Sequence, residues 1–307
     1  MKKSRLIRIL KTFDKKEVRE MRKWLQSPAH NQREDVLHLF EYLFKGNHLE
    51  KEKYLEKERI YQLLFPNEAF DDAKIRQVIH FLFKAVEGFL IYQELMEDEV
   101  RSEITLASVY RKRKLSKLCE TALKNSDTLH SKQTYRNAHF FRNDYLLRLE
   151  RYNYLANAQQ KEVNLQEVSH SLDATYFADK LQQSCFMLAH QAVAKKDYEK
   201  GFLEEVLKYV EENDFLKYPA IAVYYFGYKA LTNRDEESFF YNLKKELQTY
   251  GKIFPGEELR IVYLLAINYC ISRVNRGQRT FYREMFDLYK TGMEDRVLFE
   301  NESITQR

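Results

Sequence analysis

In this chain of 307 residues the spacing nearest to metal chemistry is Glu167-x-x-His170. On a helix it sets a carboxylate and an imidazole on one face, and Asp127-x-x-His130 repeats it in part. Carboxylate-bridged di-iron centres converge two such pairs and two further carboxylates inside a four-helix core. A carboxylate with a histidine one turn on is also what a solvated helix surface carries, and Asp127 and Glu167 are read that way. The run Glu94, Glu97, Asp98 and Glu99 offers the oxygen ligands that hard cations take, yet it stands at a helix end and is read as solvated charge. His190, between Ala189 and Gln191, is read as a packing or groove-lining residue rather than a catalyst.

Other chemistries lack their motifs. Loops that cradle phosphate need clustered glycines, because backbone amides must approach the anion without a Cβ in the way. No G-x-G-x-x-G, Walker or G-x-S-x-G pattern is present, and H-E-x-x-H is missing too. Cys119, Cys185 and Cys270 are odd in number and far apart, which gives neither a disulfide framework nor a CxxC motif. Each reads as a reduced core residue on a helix. No reaction is named by these residues, and an enzyme, a cofactor, a metal ion and a small-molecule substrate are not expected.

The elements that position these residues are helices. Eight Gly and four Pro are few against an average usage of roughly 12% for the two together. With 44% hydrophobic and 32% charged residues the chain is neither disordered nor collagen-like, and sandwiches and Rossmann folds need more turn chemistry. The expected class is all-α. Leu6, Leu10 and Phe13 make a first stripe; Val18, Met21, Trp24 and Leu25 make a second, after a capping box of Asp14 and Glu17 and before Pro28. Val36, Leu39, Phe40 and Leu43 end at Gly46, and a stripe at Ile60, Leu63 and Leu64 is stopped by Pro66. Asp71 or Asp72 then caps a long helix reaching about Glu99. Further helices are expected over 100–114, 115–129, 134–158, 171–195, 198–212, 219–232, 235–250, 256–275 and 278–291.

The later helices read as antiparallel pairs, because Lys196-Asp197, Asn233-Arg234 and Asn275-Arg276-Gly277 are short polar joints. Small residues recur at Ala189, Gly227 and Ala266 in the first helices, and phenylalanines at Phe202, Phe239 and Phe281 in the second. On these residues the chain resembles a divergent tetratricopeptide-like repeat protein over 171–292, with one more pair at 100–129. The resemblance implies an α-solenoid of stacked helix pairs with a concave groove. A helix pair cannot bury its apolar face alone, which is an independent reason for stacking. Residues 1–99 do not fit the period and form an N-terminal helical domain or cap, with residues 100–307 as the repeat domain. The segment Trp24-Leu25-Gln26-Ser27-Pro28, with Asn31, Asp35 and Leu39-Phe40, resembles bacterial helical proteins to which no activity attaches.

The functional expectation is a non-enzymatic scaffold or adaptor that binds another protein, or a second copy of itself, along that groove. The sequence has 22 Tyr and 21 Phe, and a row of rigid aromatics suits a peptide-binding surface. His190, Tyr224, Tyr228 and Tyr263 are the expected protein contacts. The alternative is nucleic-acid binding, to RNA or a single strand. The net charge of +5 is slight, but residues 1–33 hold eleven Lys or Arg against three acids, and Arg111, Lys112, Arg113, Lys114 and Lys117 cluster at a helix joint. A membrane partner is not expected, since the longest apolar stretch, Ile261 to Ile271, falls short of a span. Arg8 and Lys11 interrupt the apolar start, which is read as a mature helix rather than a signal peptide, so the cytoplasm is the expected location.

Overall fold

A computed structural model describes residues 1, 4–157, 164–194, 196–300 and 303–304. Lys2 and Lys3, and the ends expected at 158 and 195, lie outside the described residues. The architecture is all-helical, and the chain divides into two compact units, Met1–Asp98 and Glu99–Arg307.

The first unit holds α1 (Arg5–Leu10), α2 (Lys15–Gln26), α3 (Glu34–Leu43), α4 (Lys57–Leu64) and α5 (Asp72–Glu97). Local side-chain chemistry starts two of them. Asp14 accepts from the Glu17 amide and Glu17 accepts from the Asp14 amide, both at 2.7 Å, the reciprocal bonds of a capping box. Asp71 accepts from the amides of Ala73 and Lys74 and so starts α5. The core joins one face of α5 (Ile75, Val78, Leu82, Val86) to Leu10, Leu25, Val36 and Phe40.

The second unit holds α6 (Glu99–Lys112), α7 (Ser116–Lys132), α8 (Ala138–Asn157), α9 (Leu165–Ala194), α10 (Leu203–Glu212), α11 (Pro219–Thr232), α12 (Glu237–Tyr250), α13 (Gly256–Asn275) and α14 (Phe281–Glu294). A two-residue antiparallel pairing, Phe299 with Ile304, follows α14. Helices α6 and α7 pack on each other and on α8; α8 packs on α9. From there α9, α11 and α13 are successive neighbours, while α12 packs on α11 and α14 on α13. One core runs from Phe177 and Leu181 through Ile221 and Tyr225 to Ala266, Tyr269 and Phe281.

Two details depart from the sequence expectation, and a third shows how an expected joint closes. Helix α10 begins at Leu203, after Gly201 at a left-handed φ of 57°, so Phe202 is an exposed cap residue rather than a packing ring. Gly227 is no forced small residue: a Cβ there would lie 3.8 Å from Cys185 Sγ and 3.9 Å from Leu265 Cδ1, ordinary contact distances. The α6–α7 turn closes without glycine. Lys114 takes φ 61° while the Leu115 amide donates to the Tyr110 carbonyl at 2.9 Å, the bond of a helix-ending left-handed motif.

Candidate functional site

Helices α9, α11 and α13 carry the side chains expected to line a groove, and the chain itself covers the three tyrosines among them. Tyr224 on α11 is 1% exposed. Its hydroxyl donates to Glu258 Oε1 at 2.9 Å and accepts from Gln182 Nε2 at 2.9 Å, while Gln182 also reaches Glu258 Oε1 at 3.1 Å. Asn137, just before α8, donates to Glu258 Oε2 at 2.8 Å, and the Arg136 amide bonds the Ile253 carbonyl at 2.8 Å. The α7–α8 turn therefore sits on the start of α13. Burial, with the Glu258 charge adding to it, pushes the Tyr224 hydroxyl far above the usual phenol range.

Tyr228 and Tyr263 are buried in the same core. Burial pushes the Tyr263 hydroxyl up to about 12. The expectation that Tyr224, Tyr228 and Tyr263 line an open groove is thus corrected. They sit on the inner helices, in the core that α9, α11, α13 and α14 share, with no room left for a ligand. His190 alone of the four is exposed, near the end of α9, with Nδ1 2.7 Å from the Tyr198 hydroxyl.

The main open concavity lies beside this core, between α7, α8 and α9. It consists of two adjoining hollows of about 560 Å³ each, which share His130, Asp144, Arg148 and Glu167. One wall is aromatic, from Phe140, Phe141 and Tyr218; the other is a ladder of opposite charges. Arg148 donates to Asp144 at 2.7 Å and to Glu167 at 3.1 Å, and Arg151 pairs with Asp127. The bond to Asp144 holds the Arg148 guanidinium above its ordinary range.

The two metal-like spacings, Asp127 with His130 and Glu167 with His170, do meet here, but their carboxylates face arginines. His130 stacks on Phe140 with centroids 4.0 Å apart, and His170 on Phe215 at 4.9 Å. Among the described residues no group of three or more His, Cys, Asp or Glu is placed to hold a metal ion. The thiols are no better placed for chemistry, because burial raises all three: Cys119, Cys185, and Cys270 up to about 12. What this arrangement can do is hold a shape, with fixed charges and rings along one side of α8.

The basic cluster divides. Arg111 forms a bidentate pair with Glu150, Nε to Oε1 at 2.6 Å and Nη2 to Oε2 at 3.1 Å, both side chains being largely covered. Arg111 is therefore corrected from a phosphate contact to a tie between α6 and α8. Lys112, Arg113, Lys114 and Lys117 are exposed around the turn, beside a hollow of about 480 Å³ that Tyr154 also lines.

Residues that sequence reasoning missed are the polar ties. Besides Asn137 and Glu258, Arg273 on α13 is buried, bonding the Arg234 carbonyl at 2.7 Å and the Glu237 carboxylate, and so fixes the start of α12. Lys244 on α12 holds Glu284 at 2.6 Å and Asp287 at 3.5 Å on α14. Their partners stand far away in sequence, so no local pattern announces them. No family model, no curated protein and no solved structure matches this chain.

Proposed function

We propose that the protein is a non-enzymatic helical-repeat scaffold, cytoplasmic and of tetratricopeptide-like build, that binds another protein. The support for stacked repeats is the neighbour order of α9, α11 and α13, each later one backed by its own second helix. The observation that carries binding is on α14, where Tyr282, Phe286, Tyr289 and Met293 form a row of large exposed side chains along one face, the kind of patch that marks a protein contact. Since the inner tyrosines are buried in the core that α9, α11, α13 and α14 share, the partner contacts fall on outer faces. Affinity purification with and without nuclease tests this reading. A protein companion that survives nuclease treatment is expected; a companion released by nuclease, or none, refutes it.

Nucleic-acid binding is the second reading, favoured by the four exposed cations Lys112, Arg113, Lys114 and Lys117. Phosphate-driven binding weakens steeply with salt, log affinity falling by about 0.7 per neutralised phosphate on a single strand. A gel-shift series from low to moderate salt decides it, and no retarded band at low salt removes it.

A further inference from the structure

Helix α14 carries side chains that its counterpart one pair earlier does not. Laid over α12, Phe281 falls on Phe240, Leu288 on Leu247 and Gly292 on Gly251, and all four of the Phe and Leu side chains are buried. One step round the helix, both elements turn the same face to solvent. On α12 and just after it that face is Tyr241, Lys245, Gln248 and Lys252; on α14 it is Tyr282, Phe286, Tyr289 and Met293. Both faces are exposed, and at three of the four positions Lys or Gln gives way to Phe, Tyr or Met. Phe286 is 65% exposed where the earlier helix holds Lys245, and Tyr289 and Met293 stand where it holds Gln248 and Lys252, while Tyr282 keeps the ring of Tyr241. Repeat structure therefore does not require these apolar side chains.

Their spacing of four, three and four residues is the seam that a partner helix takes in knobs-into-holes packing. The edges of the seam say which helix. One edge, Met285 and Gly292, turns into the chain's own core. The other edge carries Arg283 and Lys290, both exposed, and Lys290 lies 4.0 Å from Glu294. A second copy laid antiparallel would set Arg283 against Lys290 of that copy, a like-charge contact. Laid parallel, it would bring Met285 and Gly292 to that edge and no acid at all. We infer that α14 is the docking face for an amphipathic helix of another protein, one whose apolar seam is edged by Asp or Glu. This rests on the scaffold reading and adds the chemistry of the partner.

The test uses two labelled helical peptides of about 16 residues with the same Leu/Phe seam, one edged by Glu and the other by Lys, each titrated with the full chain. The Glu-edged peptide is expected to bind about tenfold tighter or more than the Lys-edged one. The double variant F286K/Y289Q, which gives α14 what α12 carries at the same face, is expected to lose about tenfold or more of that binding with its helical circular dichroism unchanged. R283E/K290E should reverse the preference between the peptides. Equal binding of the two peptides overturns the inference, as does binding that the double variant leaves intact. Self-association of the chain that F286K/Y289Q abolishes also overturns it, by making a second copy the occupant. A nuclease-resistant protein companion found alongside peptides that bind equally would leave the scaffold reading standing while this inference falls.

Discussion

Replacing Tyr224 separates a buried tie from a binding contact. The ring is 1% exposed and its hydroxyl bridges Gln182 and Glu258 at 2.9 Å on each side. In Tyr224→Phe the ring stays and the hydroxyl goes. A hydrogen bond to a charged group contributes about 1.5–3 kcal/mol. Glu258 keeps donors from Gln182 and Asn137, so the lower end, about 1.5 kcal/mol, applies. Tyr224→Ala also empties an aromatic-sized space, which costs about 3–5 kcal/mol in a core. For a unit of roughly 200 residues, 1 kcal/mol moves the melting midpoint by about 2–4 °C. Thermal unfolding followed by circular dichroism should therefore show a drop of about 3–6 °C for Tyr224→Phe and about 10 °C or more for Tyr224→Ala. A Tyr224→Ala protein that melts with the wild type, yet no longer captures its companion, would return the ring to an open binding surface and refute the packing described above.

Other perturbations test separate parts of the structure. Gly292→Ala places a Cβ 2.7 Å from Leu298 Cδ1 and should destabilise by about 1–3 kcal/mol, whereas Gly227→Ala has room and should stabilise by about 1 kcal/mol; urea midpoints give both signs. Arg111→Ala leaves the Glu150 carboxylate buried and unpaired, costing about 3 kcal/mol, while Arg111→Met with Glu150→Leu should recover most of that loss. Tyrosine is neutral when protonated, so a hydroxyl raised to about 12 at Tyr263 is deprotonated first in the unfolded chain. Stability present below about pH 10 must then fall by about 1.4 kcal/mol per pH unit for each such ring as pH rises from there toward 12, and a flat stability profile across that window would contradict the burial. With Cys270 pushed up to about 12 and Cys119 and Cys185 also raised by burial, a thiol reagent at pH 8 should label no cysteine before unfolding.

How much was legible in the sequence follows from the range of each interaction. The capping box at Asp14 and the cap at Asp71 act within three residues, and the sequence spells both out. Helices α11 and α13 occupy 219–232 and 256–275, the spans their apolar periodicity predicts. The start of α10 was misplaced because Gly201 interrupts a segment whose charge pattern looks helical, while the stripe Leu203, Val206, Leu207 and Val210 begins only after it. The α6–α7 joint falls at the expected place, between 112 and 116, although Lys114 there does what glycine usually does.

The site was less readable for one physical reason. Periodicity tells which face of a helix is apolar, and tyrosine suits both a core and a wet groove. That Tyr224 meets its own chain rests on Gln182 and Glu258, residues 42 and 34 away in sequence. The aromatic face of α14 lay in plain view at Tyr282, Phe286, Tyr289 and Met293, yet only the buried neighbour Phe281 had entered the repeat pattern. Its meaning needed coordinates, because exposure is what turns a stripe from core into surface.

The most direct test of a scaffold that binds through its outer helix face is a titration of the purified nuclease-resistant companion against the wild-type chain and against F286K/Y289Q. The account predicts a companion that binds the wild type and loses about tenfold or more in affinity for the variant, with K112E/K114E unaffected. Equal affinity for wild type and F286K/Y289Q, or loss in K112E/K114E, would contradict it.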